Sequence, residues 1–300
     1  MGRPQLTRRG LLLGALGLTV AGTATGAAMV SDHVPGAASL RRVVGNTGPD
    51  GTVPNVPPAA VTVDRVRSSA RGRDVDLVIM RPAGSDPDGP PPAALPVCLL
   101  LHGRGGTARG FVNFGIPRVL AAAVRDGVPP FAIAAVDCGD RYFLKHDGDD
   151  PLRMLLDEVP GWLTDRGLDG STMAALGISM GSSGALCLAR YRKGLRAVAV
   201  ASPALFRRWS DAKKRNAFGD ERQWQAYEPL RHTDELAGVP LGVWCGTEDP
   251  FIDSARELIT KTHPEIGAIT RGEHAGGYWL RVLPDMMRFI GKHISVAQLH

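Results

Sequence analysis

A serine between two glycines, an aspartate and a histidine, in that chain order, are the residues of this sequence best placed for chemistry. The serine is Ser179, in Gly177-Ile178-Ser179-Met180-Gly181. A serine hydroxyl attacks a carbonyl only when a base takes its proton, and the base works best when a carboxylate orients it. The G-x-S-x-G spacing suits a nucleophile when a strand enters and a helix leaves, because the sharp turn lifts the hydroxyl above the sheet. Both flanks agree with that reading. Met173-Ala174-Ala175-Leu176 precedes the turn, and the helix-forming Ala185-Leu186-Cys187-Leu188-Ala189 follows it. The glycines leave room where strand and helix nearly touch. The helix start adds partial positive charge at the reacting centre. A plain Gly/Ser turn without chemistry is the alternative.

The partners should stand just past the carboxyl ends of parallel strands. Two places qualify. Asp249 leaves the apolar Val243-Trp244-Cys245 in Gly246-Thr247-Glu248-Asp249-Pro250, with Glu248 and Asp253 as rivals for its role. His274 lies in Glu273-His274-Ala275-Gly276-Gly277, a glycine-rich loop before a helical stretch. The order Ser179, Asp249, His274 is one that sheet-based hydrolytic triads use. A tetrahedral oxyanion also needs two preorganised N–H donors. The Met180 amide follows the nucleophile, and the Arg104 amide lies in Leu101-His102-Gly103-Arg104-Gly105-Gly106. His102 is expected to brace that loop without moving protons. His146 either lines a pocket or sits in a surface loop; His33, His232, His263, His293 and His300 read as structural or solvated. Gly103–Gly106 is not followed by Gly-Lys-Ser/Thr, so it is no phosphate loop. No His/Cys spacing points to a metal, and no cofactor is expected.

The elements around these residues must form a sheet open at one end. Residues 61–66 and 75–80 alternate apolar and polar and flank a polar stretch, which predicts an antiparallel hairpin. A proline-rich loop follows, from Gly84 to Pro96. Continuous apolar runs then recur at 97–101, 131–136, 173–178, 195–201 and 240–245, with a weaker one at 266–269. Helical stretches fall between and after them, at 117–125, 151–164, 180–191, 253–262 and 278–293. Fully apolar strands alternating with helices indicate an α/β fold: a mostly parallel central sheet covered by helices on both faces, with the hairpin at its N-terminal side. Residues 60–295 form this catalytic domain. Residues 203–238 are polar and irregular, and read either as a cap inserted over the site or as a surface excursion.

The charge balance argues against a nucleic-acid partner. The net charge is +5, but residues 1–30 hold Arg3, Arg8 and Arg9 and no acid. The remainder carries 32 basic and 30 acidic residues. The N-terminus reads as a targeting segment. Thr7-Arg8-Arg9-Gly10-Leu11-Leu12-Leu13 is a twin-arginine pair before an apolar stretch, and small residues follow near Thr25-Gly26-Ala27-Ala28. Residues 1–30 are therefore expected to direct export by the twin-arginine route, either cleaved or kept as an anchor at the membrane or cell envelope. Residues 31–59, rich in Gly, Pro, Ala and Asn, read as a linker. Cys98, Cys138, Cys187 and Cys245 fall in or beside apolar runs and read as free buried thiols, with a disulfide as the alternative.

From Val61 to His293 the chain resembles the α/β-hydrolase superfamily, and within it the esterase D-like group of S-formylglutathione hydrolases, feruloyl-type esterases and secreted mycolyltransferases. The residues that carry the resemblance are Leu100-Leu101-His102-Gly103, the stretch from Asp150 to Pro160, Gly177 through Leu186, Gly246-Thr247-Glu248-Asp249, and Glu273-His274 through Tyr278-Trp279. The resemblance implies an α/β-hydrolase fold with Ser179 as nucleophile, His274 as base, Asp249 as acid, and the amides of Arg104 and Met180 as the oxyanion hole. It also implies that Trp279 packs behind the histidine. Mycolyltransferases place a Glu as the acid, which keeps Glu248 in view. The expected activity is an exported serine carboxylic-ester hydrolase acting on a small-molecule or lipid ester through an acyl-enzyme. Acyl transfer to a sugar or lipid hydroxyl is the second expectation. A non-catalytic binding protein on the same scaffold is the third.

Overall fold

The computed structural model describes residues 47–82 and 94–294. The chain divides into two units, Met1–Gly48 and Pro49–His300. The twin-arginine segment, most of the proposed linker and residues 83–93 of the proline-rich loop lie outside the described residues.

Eight strands form one sheet in the order β1-β2-β4-β3-β5-β6-β7-β8. They are β1 (Ala60–Ser68), β2 (Arg73–Arg81), β3 (Leu95–Leu101), β4 (Ala132–Val136), β5 (Leu168–Ile178), β6 (Val198–Ala201), β7 (Leu241–Glu248) and β8 (Ile266–Glu273). β2 runs antiparallel to both β1 and β4, and the ladders from β4 through β8 are parallel. The hairpin and the parallel runs read from the sequence are thus all present.

The apolar strands are continuous because each side of the sheet is covered. Leu77, Leu99 and Met173 point to one face, where they meet Leu155, Leu186 and Leu258. Val78, Leu100 and Ala174 point to the other, against Leu120, Val282 and Met286. Beside a single turn at Gly110–Asn113, the helices are α1 (Ile116–Arg125), α2 (residues 151–164), α3 (Met180–Tyr191), α4 (Trp209–Lys214), α5 (Glu221–Tyr227), α6 (Ile252–Thr262) and α7 (Gly276–Ile294). α2, α3 and α6 cover the first face; α1 and α7 cover the second. A strand buried on both faces has no polar side to alternate with, which is why the runs lack a period of two. Among the described residues no helix is long and apolar enough to cross a membrane.

α2 opens on Pro151 behind the Asp150 cap and contains a π-helical turn over Met154–Glu158. Glu158, the last residue of that turn, accepts from the Ala70 amide at 2.8 Å and the Ser68 hydroxyl at 2.5 Å. It thereby ties α2 to the β1–β2 turn. Residues 49–59 carry no strand or helix but lie on the domain: the Gly51 amide donates to Gly277 O, and the Ala59 amide to Pro117 O.

Residues 203–238 contain α4, α5 and two 3₁₀ turns, Pro229–Arg231 and Thr233–Leu236. Their apolar residues have no regular spacing, yet Phe206, Phe218, Trp224 and Leu230 are all buried. The segment closes around Glu228, which is fully buried. Its carboxyl accepts from the Phe206 amide at 3.0 Å and the Leu230 amide at 3.3 Å. Burial pushes this carboxyl up to about 8 from its ordinary 4.5, against the opposing pull of the two amides. The folded chain therefore keeps a proton between pH 4.5 and 8 that the unfolded chain releases. Stability from this group is present below the unfolded value and is lost as pH rises toward the folded one. Between pH 5 and pH 8 the loss is on the order of 3 kcal/mol. Denaturant unfolding of wild type and Glu228→Gln at those two pH values should show a steeper decline in the wild type. Equal declines would place the buried proton elsewhere.

Candidate active site

β5 ends at Ile178 and α3 begins at Met180, so the whole reversal falls on Ser179. Its φ is 57°, in the left-handed region that side chains avoid. The two glycines explain how the turn is tolerated. A Cβ on Gly177 would stand 2.2 Å from Gly181 O, and one on Gly181 would stand 1.9 Å from Leu101 O. Only hydrogen fits at either point.

The turn raises the Ser179 Oγ to 2.8 Å from His274 Nε2. His274 Nδ1 donates to Asp249 Oδ2 at 2.9 Å, which leaves Nε2 as the acceptor for the serine hydroxyl. The Asp249 side chain is wholly buried, and its Oδ1 accepts from the Phe251 amide at 2.9 Å. Both carboxylate oxygens are thus occupied. Of the rivals, Glu248 is the last residue of β7, and Asp253 lies out on α6 against Arg256. His274 follows the end of β8. Its ring packs edge-on against Trp279, with centroids 5.3 Å apart, and against Phe251 at 5.4 Å. Trp279 Nε1 donates to Ser202 Oγ at 2.9 Å, which anchors the indole behind the imidazole.

Above Ser179 runs the loop after β3. A Cβ on Gly103 would be 3.3 Å from the Ser179 Cβ, so this glycine sets how closely the loop approaches. The Gly103 carbonyl accepts from His102 Nδ1 at 2.8 Å and from the Gly106 amide at 3.0 Å. His102 Nε2 accepts from the Cys138 amide at 3.0 Å. Each ring nitrogen of His102 is therefore committed, and burial lowers its basicity further. This histidine braces the loop in its neutral form. Because a trans peptide opposes its C=O and N–H, pinning the Gly103 carbonyl turns the Arg104 N–H the other way. The Met180 amide opens α3, where first-turn N–H groups have no intrahelical acceptor.

A second layer of residues, not legible from the sequence, holds this loop. Asp137 accepts from the Ala108 amide at 2.7 Å, and Asp140 from the Gly105 amide at 2.8 Å. Arg71, at the β1–β2 turn, donates to the Asp137 carbonyl and forms a buried two-point pair with Asp149 at 2.6 and 2.7 Å. Burial alone would raise the Asp149 carboxyl; the Arg71 guanidinium holds it below the ordinary range. After β4, Tyr142 and Phe143 both take positive φ, 53° and 64°. Phe143 packs where a Cβ on Gly184 would come within 2.5 Å of its ring. This leaves Tyr142 facing the site.

Ser179 and His274 line a cavity of about 400 Å³ whose walls include Phe111, Phe114, Tyr142, Phe251 and Trp279. Arg104 and Arg215 also line it, so the 203–238 segment contributes Arg215. His146 is not among the lining residues; its ring pairs with Leu144 O at 2.9 Å. All four cysteines are free and buried. Among the described residues no cluster of His, Cys, Asp and Glu has the form of a metal site.

These features can be compared with known proteins. The Esterase family model matches residues 68–255, well over half of the chain. No curated protein matches the sequence. Among solved structures, a ferulic acid esterase is 18% identical, with a TM-score of 0.66 over 80% of this chain and 99% of that one. MPT51 of Mycobacterium tuberculosis is 20% identical, with a TM-score of 0.64 over 79% of this chain and 99% of that one. An S-formylglutathione hydrolase from Agrobacterium tumefaciens is 15% identical, with a TM-score of 0.64 over 81% and 99%. At these identities the likeness is one of fold. The family match and the shared sheet together show that this chain belongs to the Esterase family, with an α/β-hydrolase fold and the activity of a carboxylic-ester hydrolase.

Proposed function

We propose that this chain is an exported serine esterase working through a Ser179–His274–Asp249 triad and an acyl-enzyme. The hydrogen-bonded series from Ser179 Oγ through His274 to the buried Asp249 carries the reading. In the first step Ser179 Oγ attacks the ester carbonyl while His274 Nε2 takes its proton. The amides of Arg104 and Met180 receive the developing oxyanion. His274 then returns the proton to the leaving alcohol as the C–O bond breaks. Water attacks the acyl-enzyme by the same route in reverse order, and the acid is released. Asp249 keeps the imidazole in the reactive tautomer and stabilises its charged form.

Hydrolysis is favoured over transfer to another alcohol because the His274 side chain is 22% exposed on a cavity open to water. The acid that meets His274 is Asp249 and not Glu248, which separates the site from the Glu-dependent pattern of mycolyltransferases. The binding-protein reading gives no account of three functional groups held in hydrogen-bonding register. Export rests on Arg8-Arg9 and the uncharged stretch after them.

One experiment tests both parts. A membrane-impermeant fluorophosphonate is offered to intact expressing cells, to their medium and to lysate, and the adduct is located by peptide mass. Labelling of Ser179 in intact cells or medium is expected. An adduct on another residue, or none, would refute the triad. Labelling confined to lysate would refute export.

A further inference from the structure

The cavity around Ser179 is lined by five aromatic residues and by two cations, Arg104 and Arg215. Other arginines of the domain divide between carboxylates, as Arg71 with Asp149 and Arg190 with Glu235, and backbone carbonyls, as Arg118 with Val56 and Arg192 with Gly170. Among the described residues no carboxylate oxygen lies within 4.0 Å of the Arg104 or Arg215 guanidinium. The two are nonetheless held in place. Arg104 Nη1 donates to the Arg215 carbonyl at 2.6 Å, which bridges the loop after β3 to the end of α4. The Arg215 guanidinium lies 5.0 Å from the centre of the Phe251 ring, and Phe251 packs on His274. Both cations also act on the Tyr142 phenol, which burial raises to about 12 and which their charge pulls back down.

Both residues are exposed, so they stand where the cavity opens to solvent. Two arginines tied to each other through the Arg215 carbonyl, with no carboxylate partner among the described residues, line the space a substrate must fill. A cleft of one sign with low-dielectric walls concentrates ions of the other sign. A guanidinium presents paired donors that match a carboxylate, and such charged hydrogen bonds are stronger than neutral ones. Stacking on Phe251 holds the Arg215 fork without using its donors.

The geometry points to a substrate class: esters that carry a carboxylate close to the scissile bond, bound by Arg215 with Arg104 beside it. This inference rests on the esterase reading and narrows it. The carboxylate belongs either to the acyl part or to the alcohol part, and the recognising chemistry is the same for both.

The test uses the purified protein and two matched pairs of esters. Mono-4-nitrophenyl glutarate against 4-nitrophenyl pentanoate places the charge on the acyl side. 4-Acetoxybenzoate against 4-acetoxybenzamide places it on the alcohol side. In at least one pair the anionic ester should show the higher kcat/KM, by about tenfold and mainly through KM. Arg215→Gln should erase that ratio and Arg215→Glu should invert it. Raising the salt from about 0.02 M to about 0.5 M should compress it, as screening requires. Neutral esters favoured in both pairs, or a ratio unchanged in Arg215→Gln, would overturn the inference and leave the esterase reading intact. No turnover of any of the four esters would sink both.

Discussion

Ser179→Ala is expected to lower kcat for a 4-nitrophenyl ester by about a million-fold, with KM little changed. The loss is large because the covalent route disappears altogether: no other hydroxyl stands at 2.8 Å from His274 Nε2 in the described site. His274→Ala should cost about as much, since Oγ without a base is a weak nucleophile at neutral pH. Asp249→Asn should cost about 10⁴-fold, because an amide donates where the carboxylate accepts and so favours the wrong imidazole tautomer. The three effects should not add. Once Ser179 is gone, His274 and Asp249 have nothing to activate, so the triple variant should fall close to Ser179→Ala alone. Steady-state kinetics on the single and triple variants measure this. Additive losses, or Ser179→Ala retaining a tenth of wild-type turnover, would mean that the hydrogen-bonded series is not the reacting unit. The remaining turnover over water would report the loop amides and the pocket.

The second large effect is on folding. Gly181→Ala should destabilise the protein by about 4 kcal/mol or more, or leave it insoluble. A methyl there would sit 1.9 Å from the Leu101 carbonyl oxygen, 2.5 Å from its carbon and 2.9 Å from His102 O. These are backbone atoms of β3 and its exit loop, so no side-chain rotation relieves the contact. α3 would have to lift from the sheet, taking Ser179 with it. Ser179→Gly should act in the opposite direction. It removes the side chain from φ 57° and should raise stability by about 1 kcal/mol while abolishing turnover. Urea unfolding of both variants decides the matter. A Gly181→Ala protein of wild-type stability would show that the strand–helix contact is loose. A Ser179→Gly protein less stable than wild type would show that the serine backbone is unstrained.

The opposite signs of these two effects follow from one constraint. The hydroxyl must stand above the sheet, so the chain reverses on a single residue, and the strain of that reversal is held by close packing around it. The loop that carries Arg104 is held in the same spirit by His102, Asp137 and Asp140, whose hydrogen bonds go to backbone groups of the loop and its neighbours.

How much of this the sequence made legible depends on the range of the forces involved. The elbow was visible because its requirements are local: glycine at two close contacts, an apolar strand before and a helix after. The parallel sheet was visible because burial on both faces leaves unbroken apolar runs. The chain order of the hydrogen-bonded Ser179, Asp249 and His274 was visible because strand ends carry such residues at recognisable places. The choice among Glu248, Asp249 and Asp253 needed the structure. Three neighbouring carboxylates look alike in sequence, and only the exit from β7 decides which one reaches His274. The segment 203–238 was opaque for a different reason. Its buried Phe206 and Phe218 pack on Tyr142, and Phe206 also on Phe251, so their spacing answers to distant parts of the chain and follows no period. Glu228 was equally hidden, since a glutamate in a polar stretch gives no sign that it will be buried.

By itself, then, the sequence determined the fold class, the strand–turn–helix at Ser179 and the short set from which its hydrogen-bonded partners come, because these rest on local sterics and on hydrophobic patterning along the chain. Only the tertiary structure decided which carboxylate completes the series, how the loop after β3 is braced, and that Phe111, Phe114, Tyr142, Phe251 and two arginines converge on Ser179. Those residues come from five separate stretches of chain, and no local rule links them. Their meeting is a property of the sheet order and the loops it brings together.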